Sequence, residues 1–183
     1  MKVTDFRLKG LKLIEVPVFG DERGFFTERF RVDRFGEIGV PADNFVQDNF
    51  SRSAHKVLRG LHYQFERPQG KMLTVISGRV FDVVVDIRRD SPTYKQWLGI
   101  ELDGNRPTWF WVPPGFAHGF VVLNPEGADV IYKVTAGYNP QGEGGLLWND
   151  REVGVEWPIL DPSLSPRDLK LNSWSEYAAK PRF

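Results

Sequence analysis

The sequence predicts an all-β protein that folds as a sandwich or a closed jelly roll. Short runs of alternating or continuously apolar residues recur along the chain, and 18 glycines and 13 prolines separate them. A helical period is almost absent from the 183 residues. Many short strands divided by turn residues are typical of these two architectures.

The first fifty residues predict short strands and at most one short helix. In order, they predict two strands within 1–20, a turn at 21–24, an extended run over 25–30, a helix within 32–39 and a strand over 45–51. Gly39 and Pro41 end the helix. On the last strand, Gln47, Asn49 and Ser51 alternate onto one face, which suits a polar ligand or simply solvent.

The rest of the chain continues the series of strands. Ser77-Gly78 is a hairpin turn signal, and residues 113–118 form a tight corner. From about Asp150 the tail is rich in proline, and we expect it to wrap the barrel with one short helix beginning near Ser165. The whole chain, 1–183, is predicted to be one domain. The remaining predicted strands cover 73–76, 80–86, 97–102, 108–112, 119–123 and 130–135.

Charge and composition narrow the class of function. The 24 basic and 24 acidic residues cancel, so no overall field attracts nucleic acid or an anionic membrane. The absence of cysteine excludes disulfides, thiolate metal ligands and thiol nucleophiles. Charges stand at Met1–Arg7, where a signal peptide needs an apolar core, and no apolar run approaches the ~20 residues of a membrane span. We therefore expect a cytoplasmic protein that binds neither nucleic acid nor membrane.

The stretch Arg59–Gln64, followed by Gln69–Lys71, carries the candidate chemistry. His62 is one of only three histidines. Because strand side chains alternate, we expect Arg59 and His62 to share one face. Lys71 opens the next apolar run after a glycine, so a short hairpin brings it back beside His62. An imidazole with two cations suits proton abstraction next to a carbonyl on a phosphorylated substrate, although a structural histidine is the alternative.

A metal site is a second interpretation of the histidines. His62, His118 and Gln64 are similar to a β-barrel site in which two histidines and a carboxylate bind iron or zinc. Gln64 stands where that pattern expects a further histidine, and no carboxylate follows at a useful spacing. Two histidines and a weak amide ligand bind metal poorly, so we predict a site without metal.

Three further side chains each have two interpretations. Asp168 either belongs to a helix cap that begins at Ser165 or packs against His62 and fixes its tautomer. Tyr132 is either a buried strand aromatic or a phenol that delivers a proton from the face opposite the base. Tyr138 either stacks on a nucleobase or covers the core.

Taken together, several segments closely resemble the dTDP-4-dehydrorhamnose 3,5-epimerase family. They occur in the family's order and spacing and are Phe19–Gly24, Arg59–His62, Gln69–Lys71, Pro113–Phe120, Tyr132–Thr135, Leu147–Asp150 and Ser165–Asp168. The resemblance implies a cupin-type jelly roll with short C-terminal helical elements, a homodimer, and no metal or other cofactor. It also implies conversion of dTDP-4-dehydro-6-deoxy-D-glucose to dTDP-4-dehydro-L-rhamnose, on the route to dTDP-L-rhamnose.

The resemblance assigns a role to each site residue. His62 is implied as the base, backed by Asp168, with Tyr132 as the acid and Lys71 stabilising the enolate oxygen. The N-terminal strands, within about 1–50, are implied to contribute to the dimer and to carry Arg23 and Glu28 to the partner's site. The implied substrate contacts are Arg23, Glu28, Gln47, Asp48, Asn49, Arg59, His118, Tyr138, Glu143 and Arg167, of which Arg167 stands where the family often has lysine.

Three rival functions remain at this point. Some members of the family epimerise only C3 or only C5, and the presence of Tyr132 favours the double epimerase over them. A sugar-nucleotide-binding cupin without activity would keep Arg59 but would not need His62, Asp168 and Tyr132 together. A metal-dependent cupin oxygenase or isomerase is disfavoured by Gln64.

Overall fold

Two antiparallel β-sheets packed face to face form the body of the molecule, which a computed structural model describes over all 183 residues. The larger sheet has six strands in the order β1-β2-β10-β7-β12-β5. These strands are β1 (Lys2–Asp5), β2 (Lys12–Glu15), β5 (Gln47–Ser53), β7 (Lys71–Ser77), β10 (Thr108–Val112) and β12 (Ala128–Val134).

The smaller sheet has five strands in the order β13-β6-β11-β8-β9. They are β6 (Leu58–Gln64), β8 (Arg79–Asp86), β9 (Trp97–Asp103), β11 (Phe116–Val122) and β13 (Glu143–Gly145). Two short strands, β3 (Phe19–Asp21) and β4 (Gly24–Phe26), pair only with each other as a separate hairpin. This architecture confirms the predicted all-β jelly roll.

The main core lies between the two sheets. Phe110 and Val130 of the larger sheet meet Val84 and Phe120 of the smaller one in a single buried cluster. The outer faces are covered as well, so β8 buries valines on both sides and reads as a continuous apolar run. The double burial explains why the strand lacks the alternation of a half-exposed sheet.

The C-terminal tail covers the outer face of the smaller sheet. Trp157, Trp174 and Tyr177 pack against Val83 and Val121. This packing positions the tail so that it also reaches the end of the cavity between the sheets. That residues 1–183 form one domain stays a prediction.

Helices are few and short. The predicted helix within 32–39 is confirmed as α1 (Val32–Glu37). The helix predicted to begin near Ser165 is wrong, because that segment forms only a 3-10 turn at Asp168–Lys170, while α2 (Trp174–Ala179) begins later. Its start is marked by a capping box between Ser173 and Glu176, a spacing that the sequence analysis overlooked. Further 3-10 turns lie at 42–44 and 140–142. Neither α-helix has the length and apolar character needed to cross a membrane.

Candidate active site

A cavity of about 280 Å³ opens between the two sheets. Strands β5, β7 and β12 form one wall, β6 and β11 form the other, and the C-terminal tail closes one end. Seven of its polar lining residues belong to the predicted site. The lining residues are Ser51, Arg59, His62, Lys71, Leu73, His118, Gly119, Phe120, Val130, Tyr132, Ser165, Arg167 and Asp168.

A β-bulge brings Arg59 and His62 into the same cavity. The two residues are three positions apart, so regular alternation would put them on opposite faces, and the reasoning from alternation was wrong. The strand register shifts here: His62 pairs with His118 and Arg59 pairs with Phe120. Two residues of β6 therefore oppose one residue of β11, which reverses the phase of the side chains. The shared face that we expected is real, but the bulge is its cause.

Glycines make the bulge possible. A Cβ atom on Gly60 would lie 2.7 Å from the Cα atom of Gly119 and 2.7 Å from the carbonyl oxygen of His118. Gly60 also has a φ of +117°, a conformation that other residues rarely adopt. The strands can approach this closely only because both positions lack a side chain.

His62 is bonded to a buried carboxylate from the C-terminal tail. Its Nε2 atom lies 2.6 Å from Oδ1 of Asp168, and Asp168 is only 4% exposed. Burial by itself would raise the pKa of Asp168, but hydrogen bonds from His62 and Ser165 outweigh that effect and lower it. The backbone N–H of Asp168 also donates to Ser165 Oγ over 3.1 Å, but no helix begins at Ser165, so the helix-cap interpretation is wrong and Asp168 packs against His62.

Lys71 lies at the start of β7 near His62, as predicted, but the predicted hairpin is wrong, because β6 and β7 belong to different sheets and do not pair. Its Nζ atom is 3.4 Å from the backbone oxygen of His62. Burial lowers the pKa of Lys71 to about 8, and the negative charges of Glu143 and Asp82 limit that decrease. The ammonium is therefore held inside the cavity without a carboxylate bonded directly to it.

A second imidazole–carboxylate pair lies opposite the first. His118 Nε2 is 2.9 Å from Oδ2 of Asp82, which is fully buried on β8. Burial raises the pKa of Asp82, and the hydrogen bond and charge of His118, together with the charge of Lys71, act against this rise. Asp82 is not among the predicted site residues, although a single acid inside the apolar run Val80–Val85 is a usable signal.

Tyr132 and Arg59 complete the polar lining. Burial raises the pKa of the Tyr132 phenol, with Arg59 opposing this rise and Glu143 adding to it. The phenol is therefore protonated at neutral pH. Arg59 Nε donates to Ser53 Oγ over 2.9 Å, and this bond holds the guanidinium against β5.

Gln64 is not placed as a third ligand beside the two histidines. Its amide nitrogen donates to the backbone oxygens of Arg67 and Gly137, and its amide oxygen accepts from the backbone N–H of Asn139. Both the oxygen and the nitrogen of the amide are thus bonded to backbone atoms of the neighbouring loops. No group of three or more histidine, aspartate or glutamate side chains is arranged to bind a metal ion.

Gln47 and Asn49 lie on one face of β5, and Asp48 lies on the other. Gln47 Nε2 donates to Asn49 Oδ1 over 2.8 Å, and Gln47 Oε1 accepts from the backbone N–H of Tyr138. Asp48 lies on the other face of β5, where its carboxylate accepts from Lys133 over 2.9 Å. Within this chain, Asp48 is therefore turned away from the cavity.

The remaining predicted contacts divide between the cavity mouth and the hairpin. Arg167 Nη2 lies 2.6 Å from Glu143 Oε2 at the mouth, and Tyr138 is 54% exposed. Arg23 bonds to Asp21 on the β3–β4 hairpin. Glu28 lies nearby in an ion pair with Arg34, and neither Arg23 nor Glu28 lines the cavity of its own chain. Apart from the tail residues, the cavity lining comes from strands β5, β6, β7, β11 and β12, which the jelly roll brings together.

Comparison with known proteins gives the family. The sequence model of the dTDP-4-dehydrorhamnose 3,5-epimerase family matches residues 5–176. The chain is 49% identical over 170 residues to the dTDP-4-dehydrorhamnose 3,5-epimerase of Salmonella typhimurium, covering 92% of each chain. It is 48% identical over 177 residues to that of Pseudomonas aeruginosa, covering 96% of this chain and 97% of the relative. It spans only 53% of a Neisseria gonorrhoeae relative of the same name.

Similar solved structures point to the same family as the sequence comparisons. One is the dTDP-6-deoxy-D-glucose-3,5-epimerase of Legionella pneumophila Philadelphia 1 in complex with dTDP-4-keto-L-rhamnose, with a TM-score of 0.93 and 45% identity over 100% of this chain and 98% of that one. Another is a 3'-monoepimerase from Streptomyces bikiniensis, with a TM-score of 0.90 and 29% identity over 96% of this chain and 89% of that one. The chain therefore belongs to the dTDP-4-dehydrorhamnose 3,5-epimerase family, whose members are isomerases.

Proposed function

We propose that His62, Lys71 and Tyr132 carry out the epimerisation at C3 and C5 of dTDP-4-dehydro-6-deoxy-D-glucose that gives dTDP-4-dehydro-L-rhamnose. Both carbons flank the C4 ketone, so loss of either proton gives an enolate. Such a reaction needs a base, a positive charge at the oxygen and a proton donor. The observation that carries the proposal is the convergence of these three groups on one cavity.

His62 acts as the base. Because Asp168 accepts a hydrogen bond from Nε2, the neutral ring carries its proton on that atom and leaves the lone pair of Nδ1 for the substrate. When Nδ1 takes the substrate proton, the nearby carboxylate stabilises the imidazolium. Asp168 therefore positions the base and supports its charge without touching the sugar.

Lys71 stabilises the enolate oxygen. A fixed ammonium at a developing oxyanion typically contributes several kcal/mol, about 3 for the loss of one donor. Glu143 and the fully buried Asp82 both oppose the lowering of the Lys71 pKa by burial. This lysine provides the positive charge, so the proposed reaction uses no metal or organic cofactor.

Tyr132 delivers the new proton from the other side of the ring. It projects from β12 in the larger sheet, whereas His62 projects from β6 in the smaller sheet. Base and acid thus approach the sugar from opposite walls, which is the arrangement that inversion requires. One base serves both carbons if the sugar ring shifts between the two steps.

The nucleotide occupies the cationic part of the cavity and its mouth. Arg59 and Arg167 suit the diphosphate, because a guanidinium forms paired bonds with phosphate oxygens. Gln47 and Asn49 suit a nucleobase or ribose, and Tyr138 has an exposed ring on which a base stacks. The complex of the Legionella relative with dTDP-4-keto-L-rhamnose supports a dTDP-sugar ligand.

The working form is a homodimer in the cytoplasm. Phe19, Phe25 and Phe26 on the isolated hairpin are 63–68% exposed. A two-stranded hairpin is marginally stable by itself, and exposed aromatic clusters mark interaction surfaces. A second copy that covers this hairpin would place Arg23 and Glu28 at the neighbouring cavity.

The test is solvent deuterium exchange into dTDP-4-dehydro-6-deoxy-D-glucose, followed by NMR without added metal. Label at both C3 and C5 is the expected result. Label at one carbon would indicate a single-carbon epimerase, like the Streptomyces bikiniensis relative. Absence of label from a protein that still binds the nucleotide sugar would contradict catalysis. His55→Ala is the matched control for His62→Ala, because His55 is exposed and outside the cavity.

A further inference from the structure

Ser51 lines the cavity, and none of the contacts assigned above involves it. It lies on β5 and pairs with Val130 of β12, which lines the same cavity. Ser53, two residues further along β5, lies on the same face because strand side chains alternate. Ser51 therefore continues the polar row of Gln47 and Asn49 into the cavity, and the buried Ser53 follows it on the same face.

The Ser51 hydroxyl has no partner within the protein. Its Oγ atom is shielded from solvent and forms no hydrogen bond. Three other buried side-chain polar atoms lack a hydrogen bond, in Arg29, Gln96 and Glu143, but Glu143 is ion-paired with Arg167, and none of the three residues lines the cavity. A buried hydroxyl without a partner destabilises the free protein, so its presence at a ligand cavity points to a partner that arrives with the ligand.

Arg59 identifies the kind of group that this hydroxyl meets. Ser53 accepts a hydrogen bond from Arg59 Nε and thereby anchors the guanidinium beside β5. Arg59 forms no ion pair with a carboxylate of its own chain. A hydroxyl donor next to an uncompensated guanidinium suits an anionic oxygen, whereas a sugar hydroxyl would leave the positive charge unmatched.

We infer that Ser51 donates a hydrogen bond to a diphosphate oxygen of the nucleotide sugar, next to Arg59 and with Ser53 as the anchor of that arginine. The inference rests on the proposed function, because it takes the ligand to be a nucleoside diphosphate sugar. It adds Ser51 as a binding residue and Ser53 as a positioning residue.

Calorimetric titration of Ser51→Ala with dTDP tests the inference. Loss of a hydrogen bond to a charged oxygen predicts affinity for dTDP that is about 10- to 100-fold weaker than in the wild type. The melting temperature of the free variant should stay the same or rise, because the substitution removes an unpaired hydroxyl. A structural serine would give the opposite pattern, with a lower melting temperature and unchanged affinity.

Two further titrations complete the test. Thymidine, which lacks phosphate, should bind the wild type and Ser51→Ala equally. Ser77→Ala, on an exposed strand end outside the cavity, is the matched control and should behave as the wild type. Unchanged dTDP affinity in Ser51→Ala, or equal losses for dTDP and thymidine, would overturn the inference. Failure of the proposed function is distinguishable, because it shows as absence of deuterium exchange by the wild type.

Discussion

His62 on β6 and His118 on β11 pair directly in the strand register, and the Nε2 atom of each ring is bonded to its own buried carboxylate. One carboxylate, Asp168, comes from the C-terminal tail, and the other, Asp82, comes from the neighbouring strand. Both rings are therefore held in a fixed orientation. This pairing is the frame on which the proposed proton transfer depends.

Removal of the base should abolish turnover with little loss of binding. We expect His62→Ala to lower kcat by about 10²- to 10⁴-fold, because the imidazole acts in the transition state. Affinity for dTDP, measured by calorimetry, should change little. An equal loss of binding and rate would remove His62 from this role, and His55→Ala gives the baseline.

The Asp168 carboxylate should make the free energy of unfolding depend on pH. Its folded pKa is lowered, so it stabilises the fold above the unfolded value of 3.8, and this contribution is lost as pH falls through the lower folded value. Asp168→Asn lacks the contribution at every pH. In urea unfolding, the difference between wild type and variant should therefore be larger at about pH 6 than at about pH 3. An unchanged difference would contradict the lowered pKa.

The charge of Lys71 should set the alkaline limit of activity. With a pKa of about 8, Lys71 loses its proton as pH rises through that value, and kcat should fall with it. Asp82→Asn removes a negative charge that raises this pKa, so the falling limb of the kcat profile should shift to lower pH. Asp90→Asn, at an exposed turn, is the control. An alkaline limb that stays in place in Asp82→Asn would show that Asp82 does not act through Lys71.

Arg59 should contribute mainly to binding. We expect Arg59→Ala to raise KM by about 10- to 100-fold through the loss of a charge-assisted contact to the diphosphate. Arg59→Lys should recover only part of the affinity, since lysine lacks the planar fork. Initial rates over a range of substrate concentrations measure both effects. If KM stays at the wild-type value in Arg59→Ala, the diphosphate assignment is wrong.

The proposed dimer predicts complementation between two inactive variants. If Arg23 acts in the partner's cavity, a mixed dimer of Arg23→Ala and His62→Ala contains one complete site. Equal mixing after unfolding and refolding should then restore about a quarter of wild-type activity. If Arg23 acts only in its own chain, no site is complete and the mixture stays inactive. Sedimentation of the wild type gives the oligomeric state independently.

The sequence alone predicted much of the architecture, because the relevant signals are local. Turn residues at Ser77-Gly78 and the apolar runs beside them correctly indicate two strands, but the predicted hairpin is wrong, because β7 and β8 lie in different sheets and do not pair. The ordered motifs from Phe19 to Asp168 also led to the family, which the comparisons confirm. The error at Ser165 is also local, since its capping pattern precedes only a 3-10 turn, whereas the capping box at Ser173 begins a helix.

The tertiary structure decided how the side chains meet. Asp168 joins His62 across 106 residues, and no local pattern distinguishes that contact from a helix cap. Arg59 reaches the cavity only because a bulge reverses the alternation of β6, and a bulge depends on the close approach of Gly60 and Gly119 from two different strands. Alternation and turn chemistry act between neighbours in the chain, whereas register and burial depend on strands that are distant in sequence. The sequence thus determined the strands, the chemistry-bearing residues and the family, and folding determined which of those residues share one cavity.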